Sequence, residues 1–163
     1  MASTMVQLCK PVESISKNCI FFCEPIKNTV IDDSVFIRII YSNENMSMNG
    51  IYINFSLLVS SIERYYNKHK CNFNTQTLEN HCILAKIFAL ENEILTKMSV
   101  ENKIKKFKIA EQMKLGFIKL FSNNLSIGTE KKTLTFILKI SGVWENKTEY
   151  GLTYKFSTIN RQF

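Results

Sequence analysis

Few residues of this chain are of the types that do covalent or metal chemistry. It has two histidines, His69 and His81, and five cysteines, at positions 9, 19, 23, 71 and 82. A zinc site would have to draw on Cys19-x-x-x-Cys23 with His69-x-Cys71 or His81-Cys82. That spacing matches no common finger or ribbon, and the adjacent His81 and Cys82 point in different directions if they lie on a helix. A Cys71–His81 nucleophile pair has no third group to orient it. Glu91 and Glu93, two residues apart on a helix, do not face each other and read as surface charge. The chain carries no glycine-rich phosphate loop, HExxH or GxSxG motif. The expectation is a protein that is not an enzyme and holds no metal or cofactor, with the odd, irregularly spaced cysteines kept as reduced thiols.

A second kind of chemistry, the stacking of rings beside a phosphate track, is better supplied. Two alternating segments, Thr133 to Trp144 and Glu149 to Ser157, flank the short polar stretch 145–148 and read as a hairpin. In the first, Leu134, Phe136, Leu138 and Ile140 share one face; in the second, Tyr150, Leu152, Tyr154 and Phe156 do. Trp144, Tyr150 and Tyr154 gather near the turn with Lys139, Lys147 and Lys155. Rings interleaved with lysines on a curved sheet suit unpaired bases. The same pattern also fits rings that fill a core beneath solubilising lysines.

The charge balance leans the same way. Lys and Arg number 21 against 14 Asp and Glu, a formal net charge of +7, which favours polyanions such as nucleic acid. Lysine dominates over arginine, so contact with phosphates as point charges is expected rather than bidentate reading of base edges, and hence weak sequence specificity. The densest basic run is Lys103, Lys105, Lys106 and Lys108, either a solvated helix face or a strip of phosphate contacts. The opening residues lack a charged start followed by an apolar block, and no apolar run approaches the ~18 residues a membrane helix needs. A soluble, intracellular protein with no membrane partner is expected. Abundant Asn, Lys and Ile with little Gly, Pro or Ala resembles translation of an AT-rich genome, such as that of an insect virus or a parasite.

These residues need elements to position them. At 163 residues and 45% hydrophobic content, the chain suits a single domain, residues 1–163, with one sizeable core; the first ~18 residues read as loosely ordered. Cys19 to Cys23 reads as a strand. Val35 to Tyr41 and Gly50 to Leu58 form an earlier hairpin, with Arg38 and Tyr52 on its wetter face. From about residue 74 the period lengthens. Leu78, Cys82, Ala85, Phe88 and Ala89 make the apolar stripe of a helix reaching Met98, with Asn74 or Thr75 as its cap, and Val100, Ile104, Phe107 and Ala110 make a second, shorter helical stripe stopped by Gly116. Phe117 to Phe121 is a further strand. The fold class is therefore α+β, mostly β: an antiparallel OB-like barrel of five or six strands with a helical insert at about 74–115 between its halves. An OB-fold barrel carries its helix between the third and fourth strands.

The string Leu138 to Phe156, LKISGVWENKTEYGLTYKF, resembles the closing hairpin of the phage-type single-stranded-DNA-binding proteins also found in large eukaryotic DNA viruses. Gly142 and Trp144, then Gly151, Leu152, Thr153, Tyr154 and Lys155, occupy the positions of that pattern, and Leu90 to Met98 is similar in placement to the family's interior helix. The resemblance implies an OB-fold that binds single-stranded nucleic acid, DNA by family, in viral DNA replication, at a nuclear or cytoplasmic replication site. Replication proteins and further copies of the chain are its implied partners. The residues expected to contact nucleic acid are Arg38, Tyr52, Lys103, Lys105, Lys106, Lys108, Lys139, Trp144, Tyr150, Tyr154 and Lys155. The alternative is a viral structural or protein-interaction module whose basic charge is incidental.

Overall fold

The computed structural model describes residues 9–121 and 125–159. In chain order the strands are β1 (Lys10–Pro11), β2 (Ile20–Phe22), β3 (Ile26–Lys27), β4 (Val35–Ser42), β5 (Ser47–Asn49), β6 (Ile51–Tyr65) and β7 (Lys68–Phe73). Helix α1 (Leu78–Met98) follows, then β8 (Ile104–Lys106), α2 (Lys108–Lys114), β9 (Phe117–Leu120), β10 (Lys132–Glu145) and β11 (Glu149–Thr158). The protein is a mostly antiparallel sheet with two helices, as its alternating segments require. Among the described residues, only β1 on β6 and β8 on β11 pair in parallel.

Strand β10 is the spine. Along one edge it pairs β6 from Lys132 to Ile140, then β4 from Gly142 to Glu145; along the other it pairs β11 from Phe136 to Glu145, with a bulge at Ser141. The bulge keeps inward and outward positions correct on both sides of the partner change. The hydrogen-bonded path β2-β4-β10-β6-β7-β9 is open: among the described residues no ladder joins β9 to β11.

The core fills the inner face. Phe136, Leu138, Ile140 and Val143 of β10 lie buried with Ile53 and Leu57 of β6, Ile37 and Ile39 of β4, and Leu152 of β11. Lys139 stays half-exposed, so the expected polarity of the closing hairpin holds. Its turn is tied by Asn146, whose Oδ1 accepts from the N–H groups of Thr148 (2.9 Å) and Glu149 (2.8 Å).

The helical region departs from the expected one in three ways. Helix α1 exists, but the stripe assigned to its core face is its outer one: Leu78 is 75% exposed, Cys82, Ala85 and Ala89 are exposed and Phe88 is half-buried. The buried face is Asn80, Leu84, Ile87, Leu90, Glu91, Ile94 and Leu95, which two polar residues disguise. Both have backbone partners. Asn80 accepts from Leu58 N–H (2.8 Å) and donates to Leu58 C=O (3.0 Å) and Asn74 C=O (2.8 Å), serving β6 as a neighbouring strand would. Glu91, read as surface charge, is fully buried and accepts from Ile109 and Ala110 N–H groups at 2.9 Å each.

The second departure is that residues 100–110 do not form a helical stripe. Ile104–Lys106 is a strand on β11, and only Lys108–Lys114 is helical, before Gly116 turns the chain with φ +79°. The third concerns the cap: Thr77 stands at the N-cap of α1 without a side-chain capping bond, and Asn74 instead organises the preceding turn by accepting from Gln76 N–H. Residues 10–18, expected to be loose, carry β1 and two short 3-10 turns and bury Val12; residues 1–8 lie outside the described residues.

Candidate nucleic-acid interface

The outward face of β11, β10, β6 and β4 brings together side chains from all four strands. Directly opposite one another stand Lys155 on β11, Lys139 on β10 and Tyr52 on β6. One step along are Thr153, Gly142 and Arg38; a further step gives Gly151, Trp144, Phe36 and, on β3, Ile26. Neighbouring strands lie about 4.8 Å apart, so each row spans a distance comparable to a nucleotide or two. The Lys139 Nζ sits 5.4 Å from the centroid of the Tyr52 ring, a cation–π contact that holds charge and ring together. The strand segments 35–42, 51–62, 132–144 and 150–158 contain no acidic residue; the acids of these strands, Glu63, Glu145 and Glu149, stand at or near strand ends and pair with Lys70, Lys103 and Lys106.

Two glycines shape the face. A Cβ on Gly142 would meet Ile37 O at 2.4 Å and the Phe36 ring at 2.5 Å; one on Gly151 would meet the Trp144 indole at 2.8 Å and Lys106 O at 2.9 Å. Phe36 and Trp144 therefore lie down across the sheet where any side chain would lift them away.

The expected contact residues separate into three groups. Arg38 and Lys155 are exposed, Tyr52 and Lys139 half-buried, and all four share the outward face. Trp144 belongs to that face by register but is only 9% exposed, so its ring serves as a floor. Tyr150 is a core residue, 2% exposed, with its hydroxyl donating to Leu95 C=O (3.3 Å); it cannot stack on a base. Tyr154, on the inner side, is half-buried and donates to Lys108 C=O at 3.2 Å. Burial, and then the nearby Glu91 and Glu111 carboxylates, push its hydroxyl above the usual tyrosine range, so it stays neutral.

The basic run forms the third group. Lys103 is ion-paired with Glu145, Lys106 with Glu149 at 3.0 Å and Lys108 with Glu111 at 3.0 Å, while Lys105 donates to Thr96 Oγ1 at 2.8 Å. The strand β8 brings the first two beside the acids that flank the β10–β11 turn. Of the four lysines, two are paired with acids some forty positions away and one with an acid three residues on, while Lys105 has no carboxylate partner.

Other candidate groups have ordinary roles. The Cys71 thiol is buried and pushed up to about 11, mainly by loss of solvent, so it is a poor nucleophile. A basic cluster that the closing-hairpin pattern does not reveal lies on β7 and β9: Lys119 Nζ is 3.7 Å from the Tyr65 ring centroid, Lys70 4.6 Å from Phe117 and Lys68 4.9 Å from Phe121. Lys68 and Lys119 meet Lys155 and Tyr154 in a cleft of about 340 Å³ at the seam between β9 and β11. Phe36 was also unmarked in sequence; the alternation of VFIRIIY puts it on the Arg38 side, but only the pairing of β4 with β10 sets it opposite Trp144 with its ring over Gly142. No helix is long and apolar enough to cross a membrane among the described residues.

Comparison with protein-family models, curated proteins and solved structures finds no match.

Proposed function

We propose that this protein is a non-enzymatic, sequence-tolerant binder of single-stranded nucleic acid, DNA in the light of its closing hairpin, acting in viral replication. The observation that carries the reading is the acid-free outward face on which Lys155, Lys139 and Tyr52 stand in one row and Arg38 in the next. Cations spaced along a sheet can follow a phosphate backbone, and rings among them accept any base because every base has a π face.

Strand order supports an OB-like reading of the sheet. β7 runs antiparallel to β6 and β9 to β7, while β10 runs antiparallel to β6 and β11 to β10; β9 and β11 thus run the same way, and they lie against each other. The succession β6-β7-β9-β11-β10 is that of a partly open five-stranded Greek-key barrel. In it α1 falls between the second and third strands instead of the third and fourth.

The test is fluorescence anisotropy of a labelled oligothymidylate with the full chain. Binding is expected at low salt, with Lys139→Gln/Lys155→Gln weakening it. Absence of binding at low salt, or binding indifferent to salt, would overturn the proposal in favour of a protein-interaction module.

A further inference from the structure

Beside Phe36 the outward face opens into a groove of about 310 Å³, walled by Ile26, Val30, Ile31, Phe36 and Thr153, at the small end of ligand pockets. Its far wall is β3 and the loop that follows it, which together expose three β-branched apolar side chains: Val30 is 89% exposed, Ile26 55% and Ile31 38%. The loop is not loose. Asn28 Oδ1 accepts from the N–H groups of Val30 (2.9 Å) and Ile31 (3.2 Å), Asn28 N–H donates to Ser34 C=O (3.0 Å), and Ser34 Oγ donates to Ile31 C=O (2.7 Å). A self-tied loop thus holds apolar groups in water beside an aromatic ring.

We propose that this groove takes one nucleobase of the bound strand, stacked at Phe36, an inference that rests on the single-strand reading above. Three features choose a base over an apolar peptide or lipid. The groove is lined by a flat ring and by apolar and small polar side chains, without an acid. Cations border it: Lys27 lines it, Lys155 stands two residues from Thr153 on the same face of β11, and Arg38 two residues from Phe36 on the same face of β4, while the loop's acids, Asp32 and Asp33, are not among the lining residues. Gly142, opposite both Arg38 and Thr153, has no side chain, and the Phe36 ring lies over it, which sets the ring flat between the two cationic strands. An apolar slot between cations complements a base between its phosphates.

The test compares two oligothymidylates of equal length, one intact and one with abasic sites, on the full chain. Its single tryptophan, Trp144, is opposite Phe36 and reports on the groove. The intact strand should bind roughly 5- to 100-fold more tightly than the abasic one, the size of a stacked base, and should quench Trp144 more strongly. Phe36→Leu should reduce that preference. Thr153→Phe, which fills the groove from the β11 side and changes neither Phe36 nor Gly142, should do the same and serves if Phe36→Leu does not fold. If both oligomers bind but the preference survives the folded variants unchanged, the base lies elsewhere and this inference falls while the single-strand reading stands. If neither oligomer binds at low salt, both fall.

Discussion

Glu91 is the one buried carboxylate among the described residues, and it holds the start of α2 through the N–H groups of Ile109 and Ala110. Glu91→Ala would strand both donors in the interior and should cost about 2–5 kcal/mol of stability in chemical denaturation. Burial raises its carboxyl above the ordinary value, only partly offset by the two N–H groups. A raised folded-state value means that its contribution is fully present below the unfolded value and is lost as pH rises through the folded one. Unfolding midpoints measured from about pH 4.5 to about pH 8 should therefore fall more in the wild type than in Glu91→Gln. Tyr150 is the second residue with a sharp consequence. Tyr150→Ala should cost about 3–5 kcal/mol of folding stability while leaving the oligonucleotide affinity of the folded fraction unchanged. A loss of affinity without a loss of stability would return this ring to the interface.

At the scale of elements, the two glycines of the closing hairpin determine whether β10 and β11 can carry rings flat against the sheet. Gly142→Ala and Gly151→Ala each introduce a methyl group where backbone oxygen and an aromatic ring already stand. Each should lower stability by about 1–3 kcal/mol, the usual range for overpacking, read as a drop in melting temperature. The Gly151 change should also shift the emission of Trp144, because the indole must move. By contrast, the ion pair of Lys106 with Glu149 tying β8 to β11 is about one-third exposed on each side, and pairs of that kind contribute about 0–1 kcal/mol. Lys106→Gln should therefore leave the melting temperature nearly unchanged, and a large drop would show that β8 depends on it.

At the scale of the molecule, charge distribution sets the salt dependence of binding. If Arg38, Lys139 and Lys155 each meet a phosphate, log affinity for a single strand should fall against log salt with a slope near about −2, from about −0.7 per contact. Lys139→Gln should flatten that slope by about 0.7. Lys106→Gln, which removes a charge already paired, should leave it almost unaltered. A slope carried by the 103–108 run would mean that its ion pairs open on binding, contrary to the role assigned to them here.

Alternation with a period of two was enough, in sequence alone, to place Leu138 and Lys139 on opposite faces and to set Arg38 and Tyr52 on the wetter side of their strands, because side-chain direction in a strand is a local property. The lengthened period likewise marked α1. Which outward residues become neighbours was left to tertiary structure, since register across β11, β10, β6 and β4 depends on pairings between distant segments. So was the buried face of α1, where Asn80 and Glu91 are admitted to the interior by backbone partners that exist only once β6 and α2 are in place. Half of the strongest cluster of charge in the sequence is paired for the same reason: Lys103 and Lys106 find Glu145 and Glu149 only when β8 lies beside β11.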